Sequence, residues 1–142
     1  EPGAKFLHGM TYSGHPAAAA AALANIEILE SEKIPQQVQT TGKYFENTLK
    51  GLSDMDIVGE VRGSHFMMGI EFVEDKETKL AFHDDKNVAL RLQQHAQKRG
   101  LIARPLGNIL ILSPTLILTE NEIDNIGGIL QESIEAVTKE LL

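Results

Sequence analysis

The segment IVGEVRGSHFMMGIEFV, residues 57–73, carries the clearest strand pattern of the chain. Large apolar side chains occupy every second position from 66 to 72, and residues of mixed character stand between them. We therefore predict two strands, residues 57–61 and 65–73, joined by a turn at Arg62-Gly63-Ser64. The apolar face of this pair is expected to lie against a core.

Helical patterns lie on both sides of these strands. An alanine-rich run predicts a first helix over residues 16–33. Ile34-Pro35 is expected to end it, because a residue before proline is disfavoured in helical conformation. Apolar spacing predicts further helices over residues 36–52 and 87–99, the second of which ends before Gly100.

The sequence after Gly100 predicts a hairpin and a long helix. We expect the two strands of the hairpin over residues 101–104 and 109–112, connected by Leu106-Gly107-Asn108. Thr119 and Glu122 have the spacing of a capping box, and an apolar stripe then continues to the end of the chain. Helices around a short, mostly antiparallel sheet predict an α+β fold.

Composition narrows the classes of function. The chain has 142 residues, a net charge of −7 and no run of basic residues, which argues against nucleic acid or an anionic membrane as a partner. Its longest apolar tract is far too short to span a bilayer. Without cysteine there is neither a disulfide framework nor a thiolate nucleophile. A protein that acts on small molecules in the cytoplasm is the simplest expectation.

The turn FLHGMTYSGHP, residues 6–16, has the composition of an anion site. It is rich in hydroxyl groups and glycine, and it leads directly into the first predicted helix, whose N-terminus is positively polarised. Such an arrangement suits a phosphate group. The alternative is an N-capped turn that only packs against its neighbours.

Arg104 is the strongest single candidate for binding a ligand. It is predicted at the end of a strand and just before a turn, where its planar fork can be aimed at a carboxylate. The alternative is an arginine that is simply solvated. The five histidines show no metal-binding spacing, and Arg62 is expected to pair with a nearby carboxylate.

Three segments together resemble the C-terminal part of class III pyridoxal-phosphate aminotransferases. They are FLHGMTYSGHP, VRGSHFMMGIEFV and LIARPLGNILILSPTLILTENEID, and they occur in the family's order over nearly the whole chain. The combination is most similar to the ω-amino acid and amine:pyruvate transaminases. Ser113-Pro114-Thr115 departs from the family, whose members commonly have a Pro-Pro pair there.

The resemblance implies a fold and a set of site residues. Residues 1–34 would form the cofactor-phosphate turn and a connecting helix at a dimer interface, and residues 35–142 the small α+β domain of the fold-type I architecture. Thr11, with Met10 through its backbone N–H, would hold the phosphate of the partner subunit's pyridoxal 5′-phosphate. Arg104 would bind the carboxylate of pyruvate or an amino acid.

The resemblance also implies what this chain does not carry. None of the nine lysines from Lys5 to Lys139 lies in a context similar to that of the family's cofactor-binding lysine, so no catalytic residue is assigned here. We expect a piece of a homodimeric aminotransferase, and the whole enzyme would move an amino group from an ω-amino acid or primary amine to pyruvate or a similar oxo acid. The piece itself is expected to be inactive alone. The alternatives are a stand-alone module that binds small acids and a non-transaminating relative such as an aminomutase or decarboxylase.

Overall fold

The computed structural model describes Gly3, Phe6 and residues 8–141. It divides into two compact units, Glu1–Pro35 and Gln36–Leu142. Leu7 of the predicted anion turn and Lys5 lie outside the described residues. No helix within the described ranges is long and apolar enough to cross a membrane.

The first unit contains the turn, one complete helix, α1 (Pro16–Ser31), and the first residues of a second helix. Proline at the first helical position has the φ angle that a helix needs and loses no hydrogen bond there. The predicted stop was wrong in detail. The helix ends at Ser31 and Lys33 adopts a φ of 55°, whereas Ile34-Pro35 begins the next helix, in whose first turn proline is tolerated.

The second unit is built on one antiparallel sheet. Its strands are β1 (Val58–Ser64), β2 (Met67–Asp75), β3 (Leu80–Ala81), β4 (Arg104–Leu106) and β5 (Ile109–Leu112). The order is β1-β2-β5-β4, and the short β3 pairs with β2. The α+β prediction is therefore confirmed, although the sequence analysis did not find β3.

The β1–β2 hairpin turns two residues later than predicted. Ser64 pairs with Met67, so His65 and Phe66 form a two-residue connection in which His65 has a φ of 49°. Gly63 therefore lies within β1, with a φ of 129°. A Cβ atom there would stand 2.1 Å from the carbonyl oxygen of Met67, so only glycine fits.

The helices of the second unit cover one face of the sheet. They are α2 (Ile34–Gln37), which begins in the first unit and runs through a π-helical turn (Val38–Gly42) into α3 (Lys43–Lys50), then α4 (Val88–Lys98) and α5 (Glu120–Leu141). The residues at the centre of the core have no exposed surface: Phe45, Leu92, Ile134, Ile70 and Leu110. Ile70 belongs to the apolar face of β2 that the alternation of residues predicted, and this face lies against the core.

The predicted helix signals are present in the structure. Thr119 donates its backbone N–H to the Glu122 carboxylate over 2.8 Å, and the Glu122 N–H is 3.3 Å from the Thr119 hydroxyl, which completes the capping box before α5. Gly100 follows α4 with a φ of 94°. These local interactions mark where α5 begins and where α4 ends.

Gly63→Ala should destabilise the fold by more than about 2 kcal/mol, because the new methyl group meets a backbone oxygen and the φ angle is unfavourable for alanine. Gly69→Ala is the matched control in the paired strand. Its Cβ would be 3.5 Å from the nearest atom, an ordinary contact, so its effect should stay within about 1 kcal/mol. Urea unfolding measures both, and equal losses would contradict the close approach at Gly63.

Candidate functional site

Arg104 begins β4, whereas the sequence predicted it at the end of a strand. Residues 101–103 are not in strand conformation. Leu106 pairs with Ile109, so the connection is Gly107-Asn108, in which Gly107 has a φ of 57°. Arg104 therefore lies at the far end of the β4–β5 hairpin from its turn.

The register of the sheet places Arg104 in a row of four residues that share one face. Arg62 pairs with Gly69, Gly69 with Ile111, and Ile111 with Arg104. Directly paired residues of antiparallel strands point to the same side, so both arginines lie on the face away from the helices. Three strand spacings separate them, about 14 Å, which is too far for one small carboxylate to bridge.

Arg104 differs from the other three arginines in its surroundings. Arg62 pairs with Glu71 and, over 3.0 Å, with Glu60, as expected, and the hydrogen bond to Glu71 raises its pKa. Arg91 and Arg99 bind glutamates of α5. Arg104 makes no ion pair or side-chain hydrogen bond with any residue that the structure describes. Its guanidinium group is thus available to a ligand.

A groove of about 290 Å³ lies beside Arg104. Its lining is mainly apolar: Phe45, Leu101, Ile102, Ile111, Leu112, Ser113, Pro114 and Ile126. An arginine at the edge of an apolar groove interacts with an anion more strongly than one surrounded by water, because the local dielectric is lower. The arrangement therefore suits a small molecule that carries a carboxylate.

The turn before α1 also offers free donors. The Ser13 N–H binds the Met10 carbonyl over 3.0 Å, and the His15 N–H binds the Tyr12 carbonyl over 3.2 Å. The hydroxyl and N–H of Thr11 make no hydrogen bond with any residue that the structure describes. Thr11 and Met10 are both exposed. These donors fit the oxygen atoms of a phosphate.

His15 has a clear role that the sequence analysis described only as turn formation. Its Nδ1 atom accepts from the Ala18 N–H over 3.4 Å and caps α1. The helix N-terminus is therefore partly satisfied by the chain itself. Any phosphate at this turn would depend more on Thr11 than on the helix end.

Glu46 is a buried carboxylate that the sequence analysis missed. It is 5% exposed, and its Oε1 atom binds the ammonium groups of Lys43 at 2.8 Å and Lys50 at 2.6 Å. Its Oε2 atom accepts from the His65 N–H at 3.3 Å. Hydrogen bonds from Lys43, Lys50 and His65, in that order, lower its pKa to about 2. The spacing of the two lysines around Glu46 is a helical ion-pair pattern that the sequence does contain.

The structure gives no sign of a metal centre. No group of three or more His, Asp or Glu side chains in the described part of the chain could hold a metal ion. The histidines have other partners: His95 binds Glu140 at 2.8 Å, and His83 lies 2.9 Å from Asp85. Arg104 and the Thr11 turn remain the candidate groups for binding an anion.

Comparison with known proteins identifies the family to which the chain belongs. The family model "Aminotransferase class-III" matches residues 1–134. The chain is 42% identical over 125 residues to the putrescine–pyruvate aminotransferase of Pseudomonas aeruginosa, covering 87% of this chain and 27% of that protein. It is 40% identical over 131 residues to the adenosylmethionine-8-amino-7-oxononanoate aminotransferase of Methanocaldococcus jannaschii, covering 92% and 28%.

The fold agrees as well. A crystal structure of the PMP-bound form of an aminotransferase from Vibrio fluvialis superimposes with a TM-score of 0.90 at 36% identity, covering 97% of this chain and 30% of that one. The chain belongs to the class III aminotransferases, whose members use pyridoxal phosphate. It spans about 30% of the length of the relatives it matches.

The contribution of Glu46 to the free energy of unfolding should decrease as the pH falls. Because the pKa is lowered in the folded state, from 4.5 to about 2, the contribution is fully present above pH 4.5 and is lost as the pH falls towards 2. Urea unfolding of the wild type and Glu46→Gln at several pH values measures it. The difference in unfolding free energy between the two proteins should be largest near neutrality and should shrink with acid. A constant difference would contradict the assignment.

Proposed function

We propose that this chain is the C-terminal part of a homodimeric, cytoplasmic pyridoxal-phosphate aminotransferase that moves an amino group from an ω-amino acid or primary amine to pyruvate or a similar oxo acid. The observation that carries the proposal is Arg104 beside an apolar groove, with no ion-pair partner among the described residues. The named activity of the Pseudomonas aeruginosa relative supports pyruvate as the acceptor. Neither nucleic acid nor a membrane is proposed as a partner.

Arg104 would bind and orient the carboxylate of the oxo acid. Two parallel N–H···O bonds fix the plane of the carboxylate as well as its position. The apolar side chains of Phe45 and Ile111 line the same groove and would exclude water from the bound group. A carboxylate held in this way presents its neighbouring carbonyl carbon in one orientation, which is what amino transfer requires.

Thr11 would hold the cofactor phosphate of the partner subunit. Its free hydroxyl and N–H fit the phosphate oxygens, and Met10 would add only its backbone N–H. When bound, pyridoxal phosphate withdraws electrons from the carbon that bears the amino group. The lysine that carries the cofactor is proposed to lie outside this chain, which would then be inactive alone.

Thr11→Ala in the full-length protein should loosen pyridoxal phosphate by about ten- to a hundred-fold, because a hydrogen bond to a charged phosphate is worth about 1.5–3 kcal/mol. Equilibrium titration of the apoenzyme, followed by cofactor absorbance, measures the dissociation constant. Ser13→Ala is the matched control, since only the backbone N–H of Ser13 takes part in the turn. An unchanged constant for Thr11→Ala would remove this residue from the site.

Arg104→Ala in the full-length protein should raise KM for pyruvate by about 100-fold, because two charge-assisted hydrogen bonds are lost. The half-reaction with an amine that has no carboxylate should stay within a few-fold of normal, since such a donor needs no arginine. Arg99→Ala is the matched control, because Arg99 binds Glu132 on α5 over 2.9 Å.

Stopped-flow measurement of each half-reaction separates the possible outcomes for Arg104. Equal loss with pyruvate and with the amine would assign Arg104 a structural role. No loss with either would show that the carboxylate is bound by another residue.

A further inference from the structure

The tip of the β1–β2 hairpin lies at the same end of the sheet as Arg104. Met68, the second residue of β2, pairs with Leu112, the last residue of β5, and Ile111 beside it pairs with Arg104. A second groove, lined by Met67 and Gly63, shares Ile111 and Ser113 with the groove of Arg104. The hairpin tip and Arg104 therefore flank the end of β5 from opposite sides.

Two phenylalanines connect the tip to the groove. Phe66 is the second residue of the turn and is 4% exposed. Its ring packs against the Phe45 ring with their centres 5.5 Å apart. Phe45 itself lines the groove of Arg104. An aromatic contact thus joins the tip to a wall of that groove.

Glu46 holds the tip from α3. Its carboxylate accepts from the N–H of His65, the residue of the turn with positive φ, and Lys43 and Lys50 fix the carboxylate on α3. The Ser64 hydroxyl lies 2.7 Å from Nδ1 of His65. Gly42 completes the support, because a Cβ atom there would stand 2.8 Å from Cβ of His65. The turn therefore packs against Gly42 of the π-helical segment and is hydrogen-bonded to α3 through Glu46.

We propose that Glu46 is a positioning residue for the carboxylate groove: it holds the β1–β2 turn so that Phe66 and Phe45 keep the groove wall in place beside Arg104. The inference rests on the proposed function of Arg104 and extends it to a residue that touches no substrate. Removing the Glu46 charge would leave Lys43 and Lys50 without their partner. It would also weaken the bond that orders the turn.

The test uses Glu46→Gln in the full-length protein, with Glu140→Gln as the matched control. Glu140 also binds two basic side chains, Arg91 and His95, but does so between α4 and α5 and lines neither groove. Glu46→Gln should raise KM for pyruvate about three- to ten-fold, with kcat and the half-reaction of a carboxylate-free amine within about two-fold of normal. Glu140→Gln should leave KM unchanged.

A second measurement does not depend on activity. Hydrogen–deuterium exchange should become faster in the peptide that covers residues 61–73 of Glu46→Gln and stay unchanged in the peptide that covers α4. If Glu46→Gln fails to fold, Gly42→Ala is the substitute, because its new methyl group would push against His65 and displace the same turn. It should reproduce the higher KM for pyruvate and the faster exchange of residues 61–73. Glu46→Asp, which keeps the charge, should restore part of the affinity for pyruvate.

The outcomes separate this inference from the proposed function. If Arg104→Ala raises KM for pyruvate but Glu46→Gln and Gly42→Ala do not, the positioning role is wrong and the proposed function stands. If Glu46→Gln slows both half-reactions equally, Glu46 is only structural and the inference is overturned. If Arg104→Ala has no effect on pyruvate, the proposed function itself fails.

Discussion

The close pairing of β1 with β2 is the constraint on which the rest of the second unit depends. Gly63 allows the two backbones to approach, and the turn at His65-Phe66 sets the register of the β1–β2 pairs. Pairing continues from Gly69 to Ile111 of β5, and the β4–β5 hairpin then places Arg104 opposite Ile111. The position of the arginine on the outer face therefore depends on both hairpins and on the pairing between them. A slip of one residue would turn it towards the core.

Several charged side chains of the second unit are paired with one another. Arg62, Arg91 and Arg99 are bound to glutamates, and Glu46 is bound by two lysines. These pairs join β1 to β2, join α4 and the residue after it to α5, or lie within one element. Arg104 stands outside this network among the described residues, and the free donors of Thr11 stand outside the hydrogen bonds of their turn. Groups that a protein leaves without an internal partner are those available to ligands.

Local signals in the sequence were sufficient for much of the fold. Some signals act over only a few residues: the capping box at Thr119, the glycine after α4 and the apolar alternation from Phe66 to Phe72. For this reason the α+β fold class and most helix bounds were predicted. The turn at His65-Phe66 was missed because Arg62-Gly63-Ser64 has the composition of a turn. In the structure, Gly63 instead lies within β1, where it allows the backbones of β1 and β2 to approach closely. Glu46 was missed because its partner His65 is 19 residues away. The ligand-binding roles of Arg104 and Thr11 remain predictions.

A crystal structure of the full-length protein with pyridoxal phosphate and a small carboxylate such as propionate tests the central claim most directly. The account predicts two nitrogen atoms of the Arg104 guanidinium within about 3 Å of the carboxylate oxygens. It also predicts Thr11 at the phosphate of the partner subunit's cofactor. A carboxylate bound by other residues, with Arg104 in solvent, would contradict the account.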